Sequence, residues 1–116
     1  GTVAATVAYG VGATAAALAS YGEALTLFRA VGARLGEANV LLELGDLERK
    51  ASRFDAAWTY YQQVKALYET IGDRYSLARV LYRMGDCHVE QGEKQLKLVG
   101  ADLLALPAVQ VLERVL

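Results

Sequence analysis

The residues best suited to covalent chemistry are Cys87 and His88, the only cysteine and the only histidine of the chain. A thiol next to an imidazole suggests a nucleophile and its base. On a helix, however, neighbouring side chains point about 100° apart, so neither can deprotonate the other directly. Both read instead as packing residues: Cys87 on the apolar side of its helix, where Leu47 holds the matching place, and His88 at the helix-pair seam, where Glu48 holds the matching place. One cysteine also excludes an internal disulfide, and one histidine leaves no ligand set for a zinc or haem site. Gly10-Val11-Gly12 raises the question of a phosphate loop. It lacks the Gly-Lys-Ser/Thr ending and a preceding strand, so it reads as a turn between helices. What remains is non-covalent: Arg79 and Arg83, one helical turn apart, with Tyr82 beside them, a seat for a carboxylate and an apolar group. No cofactor and no metal is expected.

These residues must be positioned by helices. The chain has 116 residues, 54% hydrophobic and 22% charged, with 12 basic against 13 acidic side chains. That is the composition of a globular domain, and a net charge of −1 gives no bulk attraction to nucleic acid. Residues 1–20 carry no charge, but Ala, Gly and Thr dominate them. They are too weakly apolar for a membrane span and lack the basic start of a secretory signal, so a closely packed pair of small-residue helices is expected. The chain begins at Gly1 without a methionine and is expected to be a segment of a longer, cytoplasmic protein.

Sliding the sequence along itself gives one strong offset, at 40 residues. Residues 21–52 and 61–92 share nine identities in 32 positions, among them Tyr21/Tyr61, Gly32/Gly72, Leu41/Leu81, Gly45/Gly85 and Asp46/Asp86. A repeat of this length is one supersecondary unit that cannot bury its apolar face alone. Within it the apolar period is helical: Ala38, Leu41, Leu44 and Gly45 on one stripe, Phe54, Ala57, Trp58, Tyr61, Val64, Leu67, Tyr68 and Ile71 on the next. Glycines 32, 72 and 92 read as helix stops. The spacing predicts helices over about 35–50, 54–71, 75–91 and 94–105. Units are expected at about 1–32, 33–72 and 73–106, with a terminal helix over 107–116 started by Pro107. Gly45 and Gly85 are expected to admit a close neighbour, Ala57 in the case of Gly45.

Leu41, Leu44-Gly45, Ala57, Tyr61 and Val64 resemble the motif of the tetratricopeptide repeat. The 40-residue period, with Gly72-Asp73-Arg74, Ala78 and Met84-Gly85-Asp86, is similar to its longer-helix subgroup, found in bacterial signalling ATPases, transcription regulators and peptide-binding scaffolds. The resemblance implies an all-α fold, a right-handed superhelix of about three helix pairs plus a C-terminal helix. It also implies no catalysis and a concave groove lined by the first helix of each unit. That groove would present Asn39, Leu42, Glu43, Asp46, Arg49 and Lys50 from the second unit, and Arg79, Tyr82, Arg83, Asp86 and Glu90 from the third. Members that clamp a carboxylate need asparagine where this chain has Asp46 and Thr6, so mixed-charge recognition of a protein or peptide fits better. The alternative is an ordinary solvated face, with Arg83 paired to Glu43 and Asp86.

The segment after Gly92 departs from the motif. Its last helix gathers Val109, Leu112, Val115 and Leu116 on one face, apolar enough to need a cover. Three covers are open to it: its own third unit, a second copy of the chain, or further repeats; self-association through this end is expected beside groove binding. The functional expectation is a non-catalytic interaction scaffold, the alternative being a regulatory sensor of a small molecule or signalling peptide.

Overall fold

A computed structural model describes the backbone of residues 2–104 and 107–115, and side chains over 12–102 and at 104, 107, 110 and 112–114. The described residues form five α-helices: α1 (Thr2–Val31), α2 (Arg34–Lys50), α3 (Phe54–Ile71), α4 (Arg74–Leu104) and α5 (Ala108–Val115). No strand occurs among them. α2 and α3 form an antiparallel hairpin, α1 packs on α2, and α4 packs on α3 and touches α2.

Three turns between the helices share one construction. In each, an amide donates back five residues to close the last helical turn: Ala33 to the Phe28 carbonyl, Arg53 to Glu48 and Asp73 to Tyr68. The residue before each donor is left-handed, Gly32 at φ 71°, Ser52 at 60° and Gly72 at 81°. This is the Schellman way of satisfying terminal carbonyls, and glycine adopts it without a Cβ penalty. Ser52 lacks that freedom, and its turn is clamped by an ion pair between Arg53 and Glu48. Asp73 also caps α4, its carboxylate accepting from the Ser76 amide at 3.1 Å and the Ser76 hydroxyl at 2.7 Å. Those bonds hold the Asp73 carboxyl below the usual carboxylate range.

The core is built where α2, α3 and α4 meet. Ala38, Leu41 and Leu42 from α2 close on Ala57, Tyr61, Val64 and Tyr68 from α3, and Val80, Met84 and Cys87 from α4. Helices α2 and α3 have the bounds that the periodicity predicts. Two expected turns are absent. α1 runs through Gly10-Val11-Gly12 as one helix, so residues 2–31 are not a helix pair. α4 likewise runs through Gly92, and 94–104 continues straight on instead of folding back. A glycine inside a helix costs about 1 kcal/mol but does not by itself reverse the chain. Position 92 has Glu93 and Lys94 where the working turn has Arg53 and Phe54, and His88 where it has Glu48. The ion pair and the half-buried apolar anchor that close the turn at 52 are both missing.

The expectations for the glycines divide the same way. A Cβ at Gly45 would stand 2.7 Å from Cε1 of Tyr61 and 3.2 Å from Cβ of Tyr60. The close neighbour is therefore the Tyr61 ring and not Ala57. At Gly85 a Cβ would meet nothing within 4 Å, because no second helix of its unit folds over it. Pro107 immediately precedes α5, as the sequence predicts.

Candidate functional site

Two tyrosines of α3, seven residues apart, organise the polar contacts among the three core helices. Tyr61 is fully buried, and its hydroxyl donates to Oδ1 of Asp46 at 2.5 Å. The Tyr61 hydroxyl oxygen in turn accepts from Nε of Arg49 at 3.1 Å. Asp46 takes a second contact through Oδ2, from Nε of Arg83 on α4 at 3.3 Å. Arg49 completes the set with a 2.7 Å ion pair to Glu90, also on α4. Burial, with the Asp46 bond second, pushes the Tyr61 hydroxyl far above its ordinary pKa, and Arg49 only partly offsets this. Burial works against the Arg49 charge, but the Tyr61 bond and the charges of Glu90 and Asp46 outweigh it and raise its pKa.

Two helical turns away the arrangement repeats with a neutral acceptor. The Tyr68 hydroxyl donates to Oδ1 of Asn39 at 2.6 Å and accepts from Nη2 of Arg79 at 3.1 Å. Arg79 Nη2 also lies 3.4 Å from Asn39 Oδ1. Because an amide replaces the carboxylate, Arg79 has no ion-pair partner within 4 Å among the described residues. Its Nε is buried without a hydrogen-bond partner among them. Beside it lies an open recess of about 330 Å³, lined by Tyr21 and Phe28 of α1, Gly36, Asn39, Val40, Leu42 and Glu43 of α2, and Arg79. The recess thus combines a cation that has no ion-pair partner within 4 Å among the described residues with two aromatic rings, and Glu43 on its rim.

The residues expected to line the groove are distributed unevenly. Asn39, Leu42, Glu43 and Arg79 meet at the recess. Leu42 belongs to the core at its floor, and Asp46 is buried and saturated by internal partners. Arg83 pairs with Asp46, and neither Glu43 nor Asp86 takes it. Arg49, Lys50 and Glu90 lie at the other end, around an opening of about 420 Å³ shared with Glu93, Lys94 and Lys97. Tyr82 is exposed, about 100° round α4 from Arg83, so the expected Arg-Tyr-Arg seat does not assemble as one site. Asp86 is half-buried. Leu112 is exposed, while the side chains of Val109, Val115 and Leu116 lie outside the described residues.

The sequence reading missed Tyr61 and Tyr68 as hydrogen-bond donors. The signal was available: Asn39 and Asp46 on one arm of the hairpin have the same seven-residue spacing as Tyr61 and Tyr68 on the other, and a buried phenol needs a partner. Cys87 is buried, as expected, its thiol 3.8 Å from the Phe54 carbonyl. Burial pushes that thiol up, away from a reactive thiolate. His88 stands against Trp58, ring centroids 4.4 Å apart. Among the described residues no three His, Cys, Asp or Glu side chains group as metal ligands. Among the described residues no helix is long and apolar enough to cross a membrane.

The tetratricopeptide repeat family model matches residues 36–96, more than half of the chain and the span that holds both tyrosine sets. The chain belongs to the tetratricopeptide repeat family. Such repeats generally mediate contacts between proteins and are typically not catalytic. No curated protein and no solved structure matches the chain.

Proposed function

We propose that this tetratricopeptide repeat domain is a protein-interaction scaffold that holds a partner peptide across the recess between α1 and α2. The observation that carries the reading is Arg79, a half-buried cation that bonds two neutral groups, has no ion-pair partner among the described residues and lines an aromatic recess. An acidic side chain in the recess would pair with the Arg79 guanidinium, and an apolar neighbour would cover Tyr21 and Phe28. Arg83 has no such role, because Asp46 already neutralises it. A fragment of a larger cytoplasmic regulatory protein is the setting that the 40-residue subgroup suggests.

The test is selection of random peptides on the immobilised chain. Enriched sequences should place an acidic residue next to an apolar one. Their affinity should fall at least tenfold on Arg79→Ala, with helical content preserved by circular dichroism. Selected peptides that bind Arg79→Ala as tightly as the parent would overturn the reading.

A further inference from the structure

α4 is two-faced. One face carries Ser76, Val80, Met84 and Cys87 into the core. The opposite face carries Tyr75, Tyr82, Val89 and Leu96, one every seven residues, all exposed. Between them, again every seven, come Ala78, Gly85, Gly92 and Val99. The two series alternate at spacings of three and four over 25 residues, which is the heptad seam of a coiled coil. Among the described residues nothing covers it: Tyr82 is 71% and Leu96 73% exposed, and a Cβ at Gly85 or Gly92 would meet no atom within 4 Å. Beyond Glu90 the helix overshoots the hairpin, so the seam runs on past the body of the domain.

The geometry points to a second copy of this chain as the occupant, with the two α4 helices antiparallel about a two-fold axis at residue 87. In that register every layer matches in size. Tyr82 faces Gly92 of the partner subunit, Val89 faces Gly85 of the partner subunit, and Leu96 faces Ala78 of the partner subunit. Tyr75 and Val99 of the partner subunit close each end. A parallel pair would instead stack Tyr82 on its own copy and leave Gly85 and Gly92 as voids, which close packing penalises. The antiparallel register also lays the overhanging half of each α4 along the folded half of the other. Burying the exposed parts of Tyr75, Tyr82, Val89, Leu96 and Val99 in both copies removes on the order of 1,200 Å² from water, the size at which specific interfaces become stable. The core face of each helix points away from the seam, so the two bodies do not compete for space. The register has one electrostatic cost, the approach of the two Asp86 carboxylates near the axis. This seam lies on α4 alone and does not depend on the recess at Arg79.

Sedimentation equilibrium on the 116-residue chain tests the proposal. The parent should be a dimer in the micromolar range, and Val89→Glu/Leu96→Glu should weaken it at least a hundredfold while helical content and peptide binding at Arg79 are unchanged. Asp86→Asn should tighten the dimer severalfold, because it removes the repulsion at the axis. Removing residues 108–116 should leave the dimer intact. A parent that stays monomeric to millimolar concentration, or a dimer indifferent to Val89→Glu/Leu96→Glu, overturns the seam. Loss of the dimer on removing 108–116 places the contact in α5 instead. No tightening with Asp86→Asn overturns the antiparallel register.

Discussion

Residues 38–54 and 78–94 occupy the same positions of the 40-residue repeat, yet they meet different surroundings. Leu41 is 1% exposed and its counterpart Leu81 is 46% exposed; Leu42 is 2% exposed where Tyr82 stands in water. Gly45 is pressed against the Tyr61 ring, while Gly85 faces open space. The whole difference follows from what the chain does next. After residue 50 it turns, and α3 comes back over α2; after residue 90 it continues, and nothing comes back over α4. A repeat pattern therefore specifies which face is apolar, and the turn decides what that face is packed against.

The comparison can be broken most forcefully at Asp46. Removing its carboxylate in Asp46→Ala strands the Tyr61 hydroxyl and leaves Arg83 and Arg49 facing each other, which should cost about 3 kcal/mol in urea unfolding. The counterpart Asp86→Ala touches no such network and should stay within about 0.5 kcal/mol. The paired glycines come next. Gly45→Ala drives a Cβ into the Tyr61 ring and should destabilise by about 1–3 kcal/mol. Gly85→Ala, whose Cβ meets nothing within 4 Å in the single chain, should stabilise the monomer at low concentration by up to about 1 kcal/mol through helix preference. Equal effects at the two glycines would mean that the two units are packed alike.

Smaller effects sharpen the picture through pH. The folded-state pKa of Tyr61 is raised, so its contribution is complete below pH 10 and is lost as the pH rises above that value. Tyr61→Phe should be less stable at neutral pH by about 1–2 kcal/mol, and its stability should fall less steeply in alkali. For Asp73 the shift is downward, so its contribution is complete above about pH 4 and is lost as the pH falls further. Asp73→Ala should melt a few degrees lower at neutral pH, and that gap should narrow as the pH falls below about 4, as followed by circular dichroism.

The hairpin was legible in the sequence because three signals agree there: the period of Ala38, Leu41 and Leu44, the stripe from Phe54 to Ile71, and turn residues at 51–53. The family and the stops at Gly32 and Gly72 were legible for the same reason. The breaks expected at Gly12 and Gly92 rested on glycine alone, and glycine permits a reversal without enforcing one. The polar contacts were harder to read. Arg79 and Arg83 look equivalent in the sequence, and only the pairing across α2 shows that Asp46 quenches one charge while Asn39 gives the other no ion pair.

The contact between Trp58 and His88 has a practical side. They are the sole tryptophan and the sole histidine of the chain, one on α3 and the other on α4, with ring centroids 4.4 Å apart. Tryptophan emission therefore reports a single junction, the docking of α4 onto α3, without any label. The molecule carries its own optical gauge of whether the long helix is seated.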